Sequence, residues 1–445
     1  MIRFVPPHRL WKRPLYLKPF LDLKRVVQAP ESHRLNAKHR NMPCQIDAVL
    51  DLHHTFKELS RKLQLVEEER NRIAKKMDGK FIERAKELKN DATILADQLA
   101  KVESDLYENA SEIPNSIHPE TPLGDPTHNK LVKTFGPVIR PGRNIMDHVE
   151  LGRRLDIIDF ISGTNIAGSR QYFLKGKGAL LELALIQFAI QTCIKHGFQF
   201  MITPDMAYNH IVKACGFNPR NADGALPIHS VHQEESENVQ GATHPKKALV
   251  GTAEIPLAGY FIDKLISAKM LPIRLVGLSH CFRPETGHHG AESRGLYRVH
   301  QFTKVEMFVL SNPEQSQEEF DRTVSIQEEI LEQLGLSCRV LNMASEELGS
   351  SAYNKYDIEG WFPGRDGWGE LTSASNCTDF QTRRLGIRYR DGNSKNWIFP
   401  HTLNGTACAV PRIIQAIIEN MQDSSGTIQL PSCLIQFMLD GSESI

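Results

Sequence analysis

Hydrophobic residues recur with helical spacing along two stretches near the start of the chain. In the first stretch they fall at intervals of three and four residues, with Arg70 at one seam position: Phe56, Leu59, Leu63, Val66, Ile73 and Met77. The second stretch continues this spacing: Phe81, Ala85, Leu88, Ala92, Leu95, Leu99, Val102 and Leu106. Such spacing is typical of helices that pair along one face. Because Asp78 and Gly79 supply turn chemistry between the stretches, an antiparallel helical hairpin is predicted.

A hairpin whose helices bury only their shared seam should project from the rest of the molecule. Phe56 to Met77 alone would form a rod of roughly 30 Å, at about 1.5 Å per residue. Charge around the predicted tip is mostly positive. Two interpretations remain open: a solvated coiled-coil surface, as lysine-rich helices usually are, or a surface that contacts phosphates. The candidates for phosphate contact are Lys75, Lys76, Lys80 and Arg84.

The pattern changes after a proline-rich stretch, "SEIPNSIHPETPLGDPTHN", which is typical of a linker. From about Leu131, strand-like runs such as "LPIRLVGL" alternate with helix-like runs such as "TVSIQEEILEQLG". This alternation predicts a domain of mixed α and β structure. The predicted organisation is a leader over 1–19, a helical arm over 20–115, a linker over 116–130 and a catalytic domain over 131–445.

The charge balance and the cysteine spacing limit which partners and which redox state the chain is expected to have. Lys plus Arg and Asp plus Glu each number 53, so any polyanionic partner must be met by local patches of charge. We expect no membrane partner, because no apolar run in the sequence looks long enough to span a bilayer. The eight cysteines are scattered without paired spacing, which favours reduced thiols.

The N-terminus carries basic residues, and no acidic residue precedes Asp22. Organellar presequences have this bias, so we predict a mitochondrial presequence and a location in the matrix. An ordinary basic tail is the alternative, since Pro6, Pro7 and Pro14 interrupt any helix and serine is missing. The basic residues are Arg3, Arg9, Lys12, Arg13 and Lys18.

Charged residues also occupy a stretch that otherwise predicts two strands around a glycine-rich turn, "CFRPETGHHGAESRGLYRVHQFTKVE". Since alternate strand residues share a face, Arg283 and Glu285 are predicted to lie on the face of Cys281. On the returning strand one face would carry Arg298, His300, Phe302, Lys304 and Glu306. Phe302 would stand about 13 Å from Arg298 and from Glu306, which suits a nucleotide joined to a small molecule. An exposed sheet face with incidental ion pairs is the alternative.

The common nucleotide-binding loops are absent from the sequence. It contains neither GxxxxGK[ST] nor GxGxxG between a strand and a helix. Gly176 and Gly178 in "LKGKGALLEL" precede a predicted helix that could hold an anion, but a plain loop is the better interpretation. Side chains are therefore expected to hold any nucleotide.

Four segments together resemble the signatures of seryl-tRNA synthetases, a family of class II aminoacyl-tRNA synthetases. They are "GTAE", "CFRPE…RGLYRVHQFTKVE", "ELTSASNCTDFQ" and "NGTACAVPR". The helical hairpin is similar to the tRNA-binding arm of that family, and "FLDLKRV" resembles its usual start. The resemblance covers the chain after about the first twenty residues. The residues of these segments are most similar to those of the animal mitochondrial branch. It implies an α+β fold, with an antiparallel sheet flanked by helices and an N-terminal antiparallel coiled-coil arm, and a homodimer.

The resemblance also implies an ATP site with Mg²⁺. Arg283 would hold the α-phosphate, Glu285 would accept from the adenine amino group, and Phe302 would stack on the base. Arg412 would grip the γ-phosphate, and Glu370 would help to hold Mg²⁺. Arg283, Arg412 and Glu370 are the candidate catalytic residues. The full ATP-binding set is Arg283, Pro284, Glu285, Arg298, Phe302, Glu370, Leu371, Thr372, Ser373 and Arg412.

The implied substrates are L-serine and tRNA-Ser. Thr252 and Glu254 would bind the amino group of serine, while Glu306 and Thr406 would meet its hydroxyl. The full serine-binding set is Thr252, Ala253, Glu254, Glu306, Asn404 and Thr406. The implied reaction forms seryl-adenylate from serine and ATP, and then transfers the seryl group to the 3′ end of the tRNA.

Some positions depart from the commoner family pattern. Pro284 replaces a frequent serine, whereas Thr406 keeps the hydroxyl that serine would provide. His288 and His289 lie in the turn expected near the tRNA end, although two exposed loop histidines are the better interpretation.

A catalytically inactive synthetase-like protein that binds RNA or a partner is the alternative function. It predicts damaged phosphate or serine ligands, and none is found. A ligase for another acid would not explain the arm.

Overall fold

The computed structural model describes residues 18–75, 82–139, 145–217, 228–231, 246–285, 294–391 and 396–445. The described chain forms two compact units, one of Lys18–Ser116 and one containing Ile117–Ile445. The proline-rich stretch after Ser116 belongs to the second unit. There, the His118 N–H donates to Tyr353 O at 2.9 Å, and Ala344 N–H donates to Asn129 Oδ1 at 2.7 Å.

The first unit is helical. The Asp22 side chain caps the first helix by accepting from Arg25 N, and Pro30 begins the second helix, where its missing N–H costs no hydrogen bond. The helices are α1 (Leu23–Gln28), α2 (Pro30–His39), α3 (Ile46–Ala74) and α4 (Ile82–Ser111).

Helices α3 and α4 pack against each other along the predicted seam. Leu88, Ala92 and Leu106 are buried, and Phe56 and Leu63 are half-buried. At 29 residues, α3 extends about 43 Å, longer than the predicted rod because it begins at Ile46. The predicted turn at Asp78 and Gly79, with Met77 and Phe81, lies outside the described residues.

The second unit contains the strands and the remaining helices. Its strands are β1 (Lys130–Phe135), β2 (Ile158–Asp159), β3 (Phe173–Leu174), β4 (Gln199–Ile202), β5 (Met206–Tyr208), β6 (Ser230–Val231), β7 (Lys247–Leu249), β8 (Leu265–Ser267), β9 (Ile273–Phe282), β10 (Gln301–Ser311), β11 (Cys338–Asn342), β12 (Asn354–Phe362), β13 (Gly367–Thr378), β14 (Arg388–Arg390) and β15 (His401–Ala409). Its helices are α5 (His148–Arg154), α6 (Phe160–Ala167), α7 (Lys177–Lys195), α8 (Asn209–Ala214), α9 (Glu254–Gly259), α10 (Ser316–Gln333), α11 (Phe380–Leu385), α12 (Val410–Asn420) and α13 (Ser432–Ile435).

An eight-stranded sheet organises this unit, in the order β1-β11-β12-β13-β15-β10-β9-β4. Its neighbouring strands pair antiparallel, except that β4 runs parallel to β9. The smaller sheets are β2-β3, β5-β7-β6 and β14-β8. The α+β class, with a mainly antiparallel sheet flanked by helices and a helical N-terminal region, is confirmed.

Strand β10 shows how the sheet separates core from site. Met307 and Val309 pack into a core with α7, α10 and α12, whereas Phe308 and Leu310 pack into a second core with α9. Because side chains alternate along a strand, the face that carries Phe308 also carries Glu306, nearer the start of β10. The second core therefore gives way to polar side chains at this end of the sheet.

Helix α7 corrects the statement that no apolar run in the sequence is long enough to span a bilayer. It has 19 residues, and its length and apolar composition alone would allow it to cross a membrane. In the structure Leu181, Ala184, Leu185 and Phe188 of this helix are buried in the larger core. Packing in the core accounts for the apolar residues on this face of the helix, whereas Leu183 and Ile194 are exposed.

The predicted hairpin is shorter than the sequence pattern indicated. Strand β9 ends at Phe282 and β10 begins at Gln301, so Arg283 and Glu285 lie outside the strands, as do Arg298 and His300. Glu285 has a φ of 46°, in the left-handed region that lies outside regular strand geometry. The strand alternation predicted for these four residues is therefore wrong, while that of Phe302, Lys304 and Glu306 is kept.

Candidate active site

A cavity of about 490 Å³ lies against the sheet and brings together segments that are far apart in the sequence. Strands β10, β13 and β15 and the start of α12 line it, together with the loop residues that follow β9 and precede β10. Fourteen of the predicted ATP- and serine-binding residues line it: Thr252, Glu254, Arg283, Pro284, Glu285, Arg298, Phe302, Glu306, Glu370, Leu371, Ser373, Asn404, Thr406 and Arg412.

Arg412 is fixed by several contacts at one end of the cavity. Its Nη1 lies 3.2 Å from Glu370 Oε2 and donates to Glu370 O at 3.0 Å. Its Nε donates to Tyr297 O at 3.2 Å, and its guanidinium carbon lies 4.6 Å from the centre of the Tyr297 ring. Pro411 lies in the first turn of α12, where the chain needs no hydrogen bond from its nitrogen. Arg412 is thus held in place before any ligand binds.

The Glu370 carboxyl stays ionised in this surrounding. Burial raises its pKa, but the positive charges of Arg412, Lys355 and Arg283 outweigh burial and hold the pKa below its usual range. An ionised carboxylate is an oxygen ligand of the kind that Mg²⁺ prefers. No group of three or more metal-ligating side chains occurs among the described residues, so an ion here would need further oxygens from a ligand or water.

Arg283 and Phe302 form the next part of the wall. The guanidinium carbon of Arg283 lies 5.3 Å from the centre of the Phe302 ring, and its Nε donates to Gly251 O at 3.3 Å. Glu285 holds Arg298 in an ion pair of 3.1 Å, and its backbone oxygen accepts from Arg170 Nη1 at 2.6 Å. Cations and an aromatic ring therefore share one side of the cavity.

Glu254 also lines the cavity, and it is 6% exposed. Its Oε1 accepts from Asn404 Nδ2 at 3.0 Å and from Gln381 Nε2 at 2.5 Å. Burial, followed by the nearby charge of Glu306, raises the pKa of the Glu254 carboxyl to about 7. Without a ligand this group is poised between its neutral and ionised forms near neutral pH.

Lys304 is a site residue that the sequence analysis placed on the correct face but gave no function. Its Nζ lies 2.5 Å from Glu306 Oε2, and both side chains are almost completely buried. Thr406 Oγ1 also donates to Glu306 Oε2, at 2.9 Å. Glu306 Oε2 is thus engaged by two donors. The signal was available, because Lys304 lies between Phe302 and Glu306 on the same face of one strand.

Strand β12 contributes a second pair that the sequence analysis missed. Lys355 lines the cavity, and its Nζ lies 2.8 Å from Asp357 Oδ2. Burial raises the pKa of the Asp357 carboxyl, which Lys355 partly offsets. Two charged residues at alternate positions of a strand could have revealed this pair, since they must share one face.

Two predicted residues do not line the cavity. Thr372 is buried on the other face of β13, where its hydroxyl donates to Thr406 O and accepts from Gln327 Nε2. Ala253 packs into the second core. His288 and His289 lie outside the described residues.

The arm residues are only partly described. Arg84 Nη2 lies 3.1 Å from Glu69 Oε1, and its Nη1 lies 3.1 Å from Glu87 Oε2. Lys75 is exposed directly after α3. Lys76 and Lys80 lie outside the described residues. Arg84 would therefore have to exchange two carboxylates for any phosphate.

Comparison with known proteins agrees with this geometry. Residues 239–421 match the family model of the tRNA synthetase class II core domain (G, H, P, S and T). A serine–tRNA ligase of Rubrobacter xylanophilus is 41% identical over 427 residues, covering 94% of this chain and 97% of the relative. A mitochondrial serine–tRNA ligase of Mus musculus is 36% identical and covers 94% of this chain and 83% of the relative.

The fold comparison gives the same family. A crystal structure of seryl-tRNA synthetase from Pyrococcus horikoshii complexed with ATP superposes with a TM-score of 0.83 at 30% identity. That match covers 96% of this chain and 99% of the other. Nearly full-length sequence similarity, the same overall fold and a cavity lined by the signature segments lead to one conclusion: the chain belongs to the seryl-tRNA synthetase family of class II aminoacyl-tRNA synthetases.

Proposed function

We propose that the two sides of the cavity hold ATP and serine next to each other for the serine–tRNA ligase reaction. The enzyme activates L-serine with ATP to give seryl-adenylate and pyrophosphate, and transfers the seryl group to the 3′ end of tRNA-Ser. The observation that carries the assignment is charge: Arg283 and Arg412 both lie near Glu370, Glu254 lies near Glu306, and all five residues line the cavity. The first pair suits phosphates, and the second suits an amino acid with an ammonium and a hydroxyl.

In the first step, a carboxylate oxygen of serine attacks the α-phosphorus of ATP and the bond to the pyrophosphate oxygen breaks. Arg283 stabilises charge on the α-phosphate, and Arg412 holds the γ-phosphate. In the second step a ribose hydroxyl of the tRNA attacks the seryl carbonyl, loses its proton, and AMP leaves. No covalent bond to the enzyme is needed, so catalysis comes from alignment and from fixed positive charge.

Phe302 stacks on the adenine ring, and Arg298 adds positive charge beside it. The ring already carries a cation on one side, because Arg283 lies 5.3 Å from its centre. Glu285 would reach the adenine amino group while it keeps its ion pair with Arg298.

Mg²⁺ enters with ATP in this proposal. Glu370, with its low pKa, would provide a carboxylate oxygen, and the phosphates would provide others. When bound, the ion neutralises negative charge on the phosphates. Ser373 lies two residues after Leu371 on β13, and both residues line the cavity.

Serine is recognised through both of its polar groups. Glu254 pairs with the ammonium, beside Thr252, and Glu306 accepts from the hydroxyl. Lys304 and Thr406 already donate to Glu306, so the carboxylate can act only as an acceptor toward the substrate. Alanine would leave this buried group unpaired, and sites of this kind reject such analogues by about 10⁴ to 10⁵-fold.

We further propose that the chain works as a homodimer. Ile161, Ile166 and Ile202 are each more than 70% exposed, and Phe173 is 43% exposed. Burial of these side chains against a second copy of the chain would be favourable. Strand β4 ends the sheet and pairs only with β9 among the described strands, which leaves a second edge for pairing. Analytical ultracentrifugation would reveal a monomer if the proposal is wrong, and Ile202→Lys should weaken the dimer.

A mitochondrial location is supported by the basic leader over 1–19 and by the mouse mitochondrial relative. Residues 1–17 of the leader lie outside the described residues. Sequencing the N-terminus of the mature protein from mitochondria should find that the leader has been removed. Intact Met1 in a cytosolic fraction would contradict the proposal.

The arm is proposed to bind tRNA-Ser, and one experiment tests this together with catalysis. Serine-dependent exchange between ATP and pyrophosphate should occur in the absence of tRNA; a lack of exchange would favour the inactive, RNA-binding alternative. Replacing 59–99 with a short Gly/Ser link should preserve exchange and abolish charging. The deletion stops short of Phe56 and Leu106, because both pack into the cluster at the base of the arm.

A further inference from the structure

A buried histidine–glutamate pair lies behind the cavity and has no role in the reaction as described above. His148 begins α5, and Glu419 lies near the end of α12; their side chains are 5% and 2% exposed. His148 Nδ1 lies 2.7 Å from Glu419 Oε1, and Leu296 N–H donates to His148 Nε2 at 3.1 Å. Because Nε2 accepts, Nδ1 carries the proton and donates to Glu419.

The pair connects elements that are distant in the chain. Glu419 Oε2 accepts from Gly364 N at 3.0 Å, and Glu419 Oε1 accepts from Gln415 Nε2 at 3.1 Å. Through Leu296, the same pair reaches the segment that returns to β10. The loop at Gly364, the helix α12 and this returning segment are thereby fixed to one another.

Two glycines show how closely the backbone approaches the pair. A Cβ on Gly295 would lie 1.9 Å from His148 Nε2, and a Cβ on Gly364 would lie 2.9 Å from the Glu419 carboxyl. Gly295 also has a φ of +68°, which residues with a side chain rarely adopt. The returning segment is therefore shaped to press its backbone against the imidazole.

The segment held by His148 leads directly into the ATP side of the cavity. Leu296 is followed by Tyr297, whose carbonyl accepts from Arg412 Nε and whose ring lies beneath the Arg412 guanidinium. Next comes Arg298, which pairs with Glu285. Arg412 and Glu419 are seven residues apart on α12, about two helical turns, so they lie on one side of the helix.

We propose that His148 is a positioning residue for ATP: with Glu419, it sets the distance between Tyr297 and Arg412. This inference rests on the proposed ATP side of the cavity. If the N–H of Leu296 loses its acceptor, the Tyr297 carbonyl shifts relative to Arg412. A misplacement of about 1 Å can cost about 10²-fold in rate.

Two substitutions of His148 separate positioning from general stability. The amide oxygen of His148→Gln can reach the place of Nε2 and accept from Leu296, whereas His148→Asn can only replace Nδ1 and donate to Glu419. We expect His148→Asn to lower kcat/KM for ATP by about 10²-fold in serine-dependent exchange, with KM for serine nearly unchanged. His148→Gln should recover most of that loss. ATP affinity, measured directly by calorimetry, should follow the same order.

Glu419→Gln keeps the volume of the side chain and serves if His148→Asn fails to fold. One of its two terminal atoms becomes a donor, so it cannot accept from both His148 and Gly364, and ATP affinity should fall by about tenfold.

The matched control is His196→Asn, since His196 Nε2 pairs with Glu329 Oε2 at 2.6 Å and neither residue lines the cavity. That control should leave ATP affinity unchanged.

The outcomes are distinguishable. Equal ATP parameters for His148→Asn, His148→Gln and the wild type would overturn the positioning role, as would parallel losses for ATP and serine that only follow Tm. A wild-type chain that binds ATP without serine-dependent exchange would refute the proposed reaction, while the order of ATP affinities among the variants would still test His148.

Discussion

The arm in the first unit and the cavity in the second unit both contain ion pairs, but the pairs differ in how exposed they are to solvent. Arg84 and Glu69 on the arm are 47% and 33% exposed. Lys304 and Glu306 in the cavity are 6% and 3% exposed. Exposed pairs contribute little to stability because water and salt screen them. Removing one partner of a buried pair leaves an uncompensated charge, and this is strongly destabilising.

The comparison shows that residue type alone does not reveal the role of a charge. On the arm, a basic residue remains able to exchange its carboxylate partner for a phosphate of a nucleic acid. In the cavity, burial fixes the two partners of a pair. Their arrangement determines which polar groups a substrate must present to them.

Arg283→Ala should have the largest effect. Serine-dependent exchange is expected to fall by about 10² to 10³-fold, because a preorganised donor to the α-phosphate is lost. The Tm should change little, since the guanidinium lines the cavity and is not part of a core. Its Nε donates to Gly251 O at 3.3 Å, which is a long hydrogen bond. Exchange at the wild-type rate would remove Arg283 from the proposed site.

Lys304→Met tests the buried pair. Glu306 would be left without its cation, so the free energy of unfolding should fall by about 3 to 5 kcal/mol. KM for serine should rise, since Glu306 would lose the Lys304 contact that holds its carboxylate in place. Scanning calorimetry and exchange kinetics measure the two effects.

The double variant Lys304→Met/Glu306→Gln is the control for that experiment. It removes both charges, so stability should recover relative to Lys304→Met, while preference for serine over alanine should stay low. Preference retained at the wild-type level in this variant, or in Glu306→Ala, would contradict the proposed recognition of the hydroxyl.

Serine use should depend on pH through Glu254. The pKa of its carboxyl is raised to about 7, so the group becomes neutral below that pH and cannot pair with an ammonium. KM for serine should rise by about tenfold for each pH unit below 7, as one proton must leave on binding. Glu254→Gln should raise KM at every pH and abolish this slope. A slope that persists in Glu254→Gln would assign it to another group.

The smallest effects are expected at the tip of the arm. Neutralising Lys75, Lys76, Lys80 and Arg84 should weaken tRNA binding and flatten its salt dependence by nearly one unit for each phosphate contact, leaving exchange unchanged. Arg84 should contribute least, because it is paired with Glu69 and Glu87. Glu69→Gln is the converse variant and should strengthen binding slightly. If affinity and salt slope both survive the fourfold change, the tip is only a solvated surface.

The arm was predictable from sequence because its helices are specified by neighbours in the chain. Residues three and four apart lie on one helix face, so the spacing of Leu88 and Ala92 indicated the seam directly. The length of α3 was less predictable, since its first turns are buried at Val49 by the cluster at the base of the arm. Tertiary packing, which no local pattern reports, extended the helix.

The contents of the cavity were predictable only through the resemblance to a family. The segments around Glu254, Arg283, Glu370 and Arg412 carry no local rule that brings them together. Strand alternation correctly placed Phe302, Lys304 and Glu306, but it failed for Arg283 and Glu285, where the chain leaves the strand through a left-handed residue. Thr372 lies within a signature segment, yet alternation along β13 turns its side chain away from the cavity.

By itself the sequence determined the helical arm, the mixed α and β character of the remainder and, through its signature segments, the family and its reaction. These follow from periodicity and residue identity, which are properties of neighbouring residues. Only the tertiary structure decided that Lys304 engages Glu306, that Glu254 is buried enough to raise its pKa, and that His148 holds the backbone beside Arg412. Burial and close approach depend on which distant segments pack together, and a linear pattern does not contain that information.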